Sequence, residues 1–209
     1  MIFVTVGSRN YPFDRLFKKL DDLYEQSVLS EPMFAQIGTS SYKPKHYQYT
    51  DFISPEEFEE KIQEADIVVT HGASGSIMKA LNAKKKVIAV TRLAKYGEHI
   101  NDHQIQNNEA FSSNHYVLMA DPELGNLAEC FEKIYIGTDG LIPWENKDPL
   151  SIVKIIDKFI QRNGTDNPLL VRLKNQLDNP IIHYPEFVWR NYIESFRCRW
   201  RSAVQPRGY

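Results

Sequence analysis

The stretch DIVVTHGASGSIMKALNAKKKVIAV, residues 66–90, predicts a strand, a turn of small residues, a helix and a second strand. The turn, HGASGS, runs from His71 to Ser76, so two hydroxyls and an imidazole lie beside the start of the helix. The first backbone N–H groups of a helix lack intrahelical acceptors, and the helix dipole adds positive potential there. Such a turn is typical of a site that holds the diphosphate of a nucleotide without a cluster of metal ligands.

Apolar segments of strand length alternate with helical patterns along the rest of the chain. We therefore expect an α/β fold, with a Rossmann-like parallel sheet and helices on both faces. The predicted strands are residues 2–6, 33–37, 46–53, 66–70, 86–91 and 116–120. The predicted helices are residues 13–26, 55–65, 75–82, 102–112, 124–134 and 150–162. Ser54 and Glu57 predict a capping box for the second helix, with Pro55 at its first position.

Composition and charge exclude several classes of protein. Hydrophobic residues make up 42% of the chain and charged residues 25%, as in soluble globular proteins. The net charge of −2 argues against nucleic acid as a partner. No apolar run reaches the roughly 18 residues that span a bilayer, and the start MIFVTVGS lacks the charged segment of a secretion signal. Cys130 and Cys198 fall in no metal-binding spacing. We therefore expect a cytoplasmic protein.

The sequence changes character near its end. Residues 163–168, NGTDNP, predict a linker. We therefore expect a domain of residues 1–162, followed by residues 163–209, which comprise this linker and a helical extension. Residues 184–209 contain seven aromatic residues, and five arginines against two glutamates give this segment a charge of +3. Aromatic and arginine side chains dominate interface energetics, so this tail predicts a docking element for a partner protein. Contact with an anionic membrane, packing on its own domain and pairing of two copies are the alternatives.

Polar loops follow several predicted strands. Ligands of an open α/β sheet bind beyond the carboxyl ends of the strands, so these loops are expected to converge on one edge. The nucleotide-binding residues predicted there are Gly7, Ser8, Arg9, Thr39, Ser40, His71, Gly72, Ala73, Ser74, Gly75, Ser76 and Arg92. A simple helix cap is the alternative role of Ser74. No Asp-x-Asp pair follows a predicted strand, so we expect no cofactor and no required metal.

Four blocks in this order resemble the donor-binding half of the family 28 glycosyltransferases. They are IFVTVGSRNYPFDRL from residue 2, IGTSSYKP from residue 37, ADIVVTHGASGSIMKAL from residue 65 and YGEHINDHQIQ from residue 96. The resemblance covers roughly residues 1–160. It extends to the small catalytic subunits of two-part transferases, both in the dolichol pathway and in bacterial capsule or exopolysaccharide synthesis.

The resemblance implies the donor half of a GT-B enzyme, a UDP-sugar donor and transfer with inversion. It also implies a membrane-anchored partner subunit that binds a lipid-linked acceptor, which would hold this chain at the inner face of the membrane. Two departures concern loops: Gly72-Ala73 reverses the usual order, and Lys84-Lys85-Lys86 replaces a usual Gly-Lys-Pro turn. A lysine in place of that glycine would sit at positive φ, at a cost of about 1 kcal/mol.

The resemblance places Asp102, His103 and Gln104 at the donor sugar, with a helix N-cap as the alternative role of Asp102. An inverting transfer needs one base to take the proton of the acceptor hydroxyl. The candidates in this loop are Glu98, His99 and Asp102, and the partner chain is an alternative source of the base.

Two other functions compete with sugar transfer. A nucleotide-sugar-binding regulatory subunit could keep the donor pocket and lack turnover. A dinucleotide oxidoreductase would share the fold class, but residues 2–13 lack the G-x-G-x-x-G that close packing against a pyrophosphate requires. We therefore expect the chain to bind UDP and not NAD.

Overall fold

Six short strands form one parallel sheet in the computed structural model, which describes residues 1–145. They are β1 (Ile2–Thr5), β2 (Met33–Gln36), β3 (Gln48–Thr50), β4 (Ile67–His71), β5 (Lys86–Val90) and β6 (Leu118–Met119). Their order across the sheet is β3-β2-β1-β4-β5-β6, and every neighbouring pair is parallel. The predicted Rossmann-like α/β fold is confirmed.

Five helices and one short 3-10 turn connect the strands in this part of the chain. They are α1 (Asp14–Glu25), α2 (Pro55–Glu64), α3 (Ser74–Asn82), the 3-10 turn (Ala94–Tyr96), α4 (His103–Ser113) and α5 (Leu127–Tyr135). The predicted cap of α2 is confirmed, because the Ser54 hydroxyl accepts a hydrogen bond from Glu57 N at 3.1 Å. Pro55 occupies the first helical turn, where its missing N–H costs nothing.

Both faces of the sheet are covered, as the alternation of side chains along β1 shows. Ile2 and Val4 belong to the core cluster that also contains buried residues of α1 and α5. Phe3 points to the other face, where its ring meets Phe58 of α2 edge-on at 5.5 Å. Side chains alternate across a strand, so a strand buried on both faces reads as the continuous apolar run seen at the start of this sequence.

Several predicted elements are shorter than the sequence pattern suggested, including β6, which spans only Leu118–Met119 of the predicted residues 116–120. The strand predicted at residues 46–53 is limited to Gln48–Thr50. Its first part is diverted because Lys45 N and His46 N donate to the buried Asp21 carboxylate, at 2.9 and 3.2 Å. Similarly, the Asp121 carboxylate accepts from Asn126 N at 2.7 Å, which forms a turn in place of the first turn predicted for α5.

Residues Met1–Trp144 form one compact unit. The predicted helix 150–162, the linker 163–168 and the aromatic, basic segment 184–209 lie outside the described residues. Within residues 1–145, no helix is both long enough and apolar enough to cross a bilayer.

Candidate functional site

The topology of the sheet creates a crevice between β1 and β4. From β1 the chain proceeds outward through β2 and β3, and it then returns to β4 on the other side. The two strands are adjacent and in register, with Thr5 opposite Thr70. The loops that leave them therefore separate to opposite faces, which is the position where open α/β sheets bind ligands. The predicted loops at residues 7–10 and 71–76 border this crevice.

Gly7 brings the first of these loops directly against His71. It adopts φ +73°, and a β-carbon at this position would lie 2.7 Å from Cε1 and 3.0 Å from Nε2 of the imidazole. Its N–H points back to the Thr5 hydroxyl at 3.3 Å, and that hydroxyl donates to Gln36 Oε1 at 2.8 Å. A side chain at position 7 would therefore displace the imidazole.

Helix α3 begins in the crevice without a side-chain cap. Its N-cap is Ala73, in extended conformation, so Ser74 is the first helical residue and does not fill the capping role considered above. The residues from Ala73 to Ser76 are half-buried and reachable from solvent. The N–H groups of this first turn therefore have no side-chain acceptor from the described chain, and they face a position suited to an anion.

His71 lies beneath this helix start and is 6% exposed. Burial lowers the pKa of His71 to about 3, and the nearby positive charge of Arg92 acts in the same direction. The imidazole is therefore neutral at physiological pH. Its Nδ1 atom is buried and has no hydrogen-bond partner within the described part of the chain.

Arg92, two residues beyond β5, is a buried cation that is only 1% exposed. Its Nη2 donates to the Tyr11 carbonyl at 2.8 Å, and its guanidinium lies 5.8 Å from the centre of the Phe13 ring. Its Nε has no hydrogen-bond partner, and no carboxylate of residues 1–145 forms an ion pair with it. Burial lowers the pKa of Arg92 to about 10, which leaves it charged at neutral pH. The negative charge of Glu98 acts in the opposite direction, but its carboxylate pairs with Arg15 and not with Arg92. A buried charge without an ion-pair partner is costly, so this position favours an anionic ligand.

The sequence profile described as the glycosyltransferase family 28 C-terminal domain matches residues 1–132. The match covers more than half of the 209 residues. The chain belongs to glycosyltransferase family 28.

Solved structures similar to this family 28 chain include two transferases. The glycosyltransferase SnogD from Streptomyces nogalater is 17% identical with a TM-score of 0.44, and the alignment covers 66% of this chain and 35% of SnogD. The glycotransferase of kitacinnamycin is 13% identical with a TM-score of 0.49, and the alignment covers 93% of this chain and 42% of that protein. The chain therefore spans less than half the length of either transferase. No curated protein gives a significant match.

Of the three base candidates in this family 28 domain, Glu98 is the most fully engaged. It is 3% exposed, and its carboxylate receives Arg15 Nε at 2.7 Å and Arg15 Nη2 at 3.0 Å. Leu93 N donates to the same carboxylate at 2.9 Å. Both oxygens are thus occupied, so these contacts favour a role for Glu98 in holding the loop and do not favour proton transfer to it.

Asp102 and His99 lie in the same loop but differ in access. Asp102 is exposed and precedes α4 as its N-cap residue, yet its side chain does not cap the helix. Its Oδ1 accepts a hydrogen bond from Ala94 N at 2.8 Å. His99 is 8% exposed, with its ring 5.2 Å from that of Tyr11, and burial lowers its pKa. Of the two, Asp102 is the more accessible to a ligand.

Gln104 is 3% exposed and holds Arg92 in place, because its Oε1 accepts from Arg92 N at 3.3 Å. It lies on α4, whose first residue is His103. The close approach of Gln104 explains why glycine precedes alanine at positions 72 and 73, the reverse of the order usual in the family. A β-carbon on Gly72 would lie 2.7 Å from Gln104 Cβ. Helix α4 therefore packs directly on the turn after β4, which requires glycine at this position.

Some of the remaining predicted residues are exposed at the edge of the crevice, and others are buried or half-buried and support the surrounding loops. Ser8, Arg9 and Thr39 are exposed at the same edge of the sheet. Ser40 is 4% exposed, and its hydroxyl accepts from Phe13 N at 2.9 Å, which supports the loop before α1. Gly75 lies in the half-buried first turn of α3.

The sequence interpretation missed two residues that organise the site, Arg15 and Asn108. Asn108 is fully buried, and its Nδ2 donates to Val90 O and to the Thr91 hydroxyl, both at 3.0 Å. A usable signal was present, because Gln104 and Asn108 are four residues apart and place two amides on one helix face. Arg15 carried no local signal, since its partners are 76 to 107 residues away in sequence.

Proposed function

We propose that this family 28 domain binds a UDP-sugar and donates the sugar, with inversion, to a lipid-linked saccharide. The diphosphate is placed at the start of α3, between Gly7 and the turn that follows His71. The observation that carries the proposal is Arg92 in the same crevice, a buried cation that forms no ion pair within residues 1–145 and whose Nε has no hydrogen-bond partner there. A phosphate group would add negative charge and an acceptor beside it.

The charge of the diphosphate can be met by groups of this chain. The first turn of α3 offers backbone N–H groups, Arg92 and Arg9 carry positive charge, and the His71 imidazole can donate or accept a hydrogen bond. We therefore propose transfer without a required metal. Turnover is expected to persist in excess chelator, and loss of turnover that Mg²⁺ or Mn²⁺ restores would contradict this part of the proposal.

The sugar is proposed to lie toward the loop that joins β5 to α4, where Asp102 is exposed. Asp102 and His99 are retained as candidates for the base, and a group of the partner chain is the alternative. Asp102→Asn keeps an oxygen for Ala94 N but removes the negative charge. This variant is expected to bind UDP like the wild type while its turnover falls, because the sugar contact matters most as the glycosidic bond breaks.

The acceptor is proposed to bind outside Met1–Trp144, a single compact α/β unit whose crevice at the switch point is assigned to the donor. We assign it to a membrane-anchored partner subunit that docks on the segment 184–209. Removal of residues 183–209 is expected to preserve UDP binding and to abolish capture of that partner. A shortened chain that still captures the partner would contradict the docking assignment, and so would one that no longer folds.

Calorimetric titration of the full chain with UDP and with NAD tests the class of ligand. Binding of UDP in the micromolar range without binding of NAD is expected, and the reverse preference would overturn the proposal. The second candidate is a regulatory subunit that binds nucleotide sugars without turnover, which the engagement of Glu98 by Arg15 favours. Turnover of a UDP-sugar in the presence of the partner would exclude this second candidate.

A further inference from the structure

The side chain of Arg15 connects four separate segments near the site. From helix α1 it reaches the Glu98 carboxylate through two nitrogens, at 2.7 and 3.0 Å. Its Nη2 also donates to the Thr91 carbonyl at 2.7 Å, and its Nη1 donates to the Pro122 carbonyl at 2.6 Å. The fork geometry of a guanidinium suits such paired contacts, which a lysine could not reproduce.

Glu98 transmits this anchoring to the loop between β5 and α4. The carboxylate that pairs with Arg15 also accepts from Leu93 N, at the beginning of that loop. Immediately before α4, a second hydrogen bond closes the loop, because Asp102 accepts from Ala94 N. The pair is shielded from water: the Glu98 side chain is 4% exposed and that of Arg15 is 20% exposed. A shielded, two-pronged ion pair fixes geometry more firmly than a solvated one.

We infer that Arg15 and Glu98 form a positioning pair, which holds residues 93–102 in the conformation that contacts the donor sugar. Neither residue touches the nucleotide in this scheme. The inference rests on the proposed function, because it assigns a purpose to a loop that is expected to face the sugar. The inference assigns two roles within one crevice. Arg92 contributes to binding of the diphosphate, and the Arg15–Glu98 pair determines the affinity for the sugar.

The same loop contains a matched control. Lys95 forms an ion pair with Glu123, and the Tyr96 hydroxyl donates to that carboxylate at 2.7 Å. The two side chains of this pair are 59% and 53% exposed, so they are screened by solvent. Glu98→Gln and Glu123→Gln therefore make the same chemical change at a buried carboxylate of this loop and at an exposed carboxylate after β6 that contacts the same loop.

The test is calorimetry of the full chain with UDP and with three UDP-sugars: UDP-glucose, UDP-galactose and UDP-N-acetylglucosamine. For the sugar that the wild type binds best, Glu98→Gln is expected to lower affinity about tenfold, with UDP affinity changed by less than about threefold. Glu123→Gln is expected to change neither. Arg15→Lys, which keeps the charge and loses the fork, is expected to behave like Glu98→Gln and gives a second readout if that variant fails to fold.

Hydrogen exchange of the free proteins gives a measurement that needs no ligand. Residues 93–102 are expected to exchange faster in Glu98→Gln than in the wild type, while α3 keeps its protection. Unchanged exchange in this loop would overturn the inference, and so would equal losses of UDP and UDP-sugar affinity. If the wild type binds no UDP at all, the proposed function itself fails and this inference falls with it. Normal UDP binding with an unaffected sugar affinity in Glu98→Gln would overturn the inference alone.

Discussion

Gly7 and His71 are in direct contact across the crevice between β1 and β4. A β-carbon on Gly7 would lie 2.7 Å from the Cε1 atom of the imidazole, which is closer than real β-carbons approach a ring atom. The contact joins the loop after β1 to the last residue of β4, two residues before the N-cap of α3. The geometry of the proposed anion site therefore depends on the absence of one methyl group.

Gly7→Ala is expected to weaken UDP binding by about tenfold or more, because the new methyl group must push the imidazole away from the site. Gly137→Ala is the control, since Gly137 has φ +71° but nothing within 4 Å of the added β-carbon. Both variants carry the same backbone strain of about 1 kcal/mol, and only one disturbs the crevice. Calorimetry with UDP separates them, and equal affinities would show that the Gly7 contact has no part in binding.

The buried, neutral state of His71 should appear in the pH dependence of stability. Its pKa is lowered from 6.5 to about 3 in the folded chain, so between these values the unfolded state binds more protons. The contribution of His71 to stability is therefore complete above pH 6.5 and is lost as the pH falls toward 3. The free energy of unfolding of the wild type should fall more steeply over this range than that of His71→Gln, by about 1 kcal/mol per pH unit.

Denaturant unfolding of both proteins at several pH values measures this difference. The difference between the two curves isolates position 71, because the other titrating groups are common to both proteins. Parallel curves between pH 6.5 and pH 4 would show that His71 is protonated as easily in the folded chain as in the unfolded one.

Much of the fold could be predicted because its signals are local. The strand, turn and helix of residues 66–82 follow from apolar runs and small residues, and α3 begins one residue before its predicted start. The strand predicted at residues 46–53 was too long. The backbone N–H groups near its start donate to the Asp21 carboxylate of α1 and not to a neighbouring strand. Local patterns do not reveal a carboxylate about 25 residues away that captures strand-forming N–H groups.

In the site, too, features with local sequence signals could be predicted, and features set by distant residues could not. The loops that converge at the switch point could be identified from their order after strands, since the geometry of a parallel sheet brings them to one edge. The role of Glu98 could not, because its partner Arg15 lies 83 residues away. A carboxylate in a polar loop has the same sequence signature whether it takes a proton from a substrate or pairs with a half-buried arginine from a distant helix.

Lys84 provides a test of the fold that involves no ligand. The lysine that replaces the usual glycine of this turn adopts φ 58° and is exposed, as the comparison of loop motifs led us to expect. Lys84→Gly should raise the free energy of unfolding by about 1 kcal/mol, because glycine adopts positive φ without strain. Lys84→Ala removes the same charge but keeps the β-carbon, so it should show no such gain. Thermal unfolding of the wild type, Lys84→Gly and Lys84→Ala measures these stabilities. Equal increases in the free energy of unfolding in both variants would show that loss of the lysine charge, and not relief of backbone strain, is the cause.

The most direct test of the central claim is the titration of UDP into the full chain, its Ser74→Glu variant and its Ser30→Glu variant. Ser74 lies in the first turn of α3, where an acidic side chain is compatible with the helix dipole but would occupy the anion site and repel a diphosphate. Ser30 is exposed before β2, at the opposite edge of the sheet. We expect micromolar binding by the wild type and by Ser30→Glu, and no measurable binding by Ser74→Glu. Wild-type UDP affinity in a folded Ser74→Glu protein would contradict the assignment of the diphosphate to this helix start.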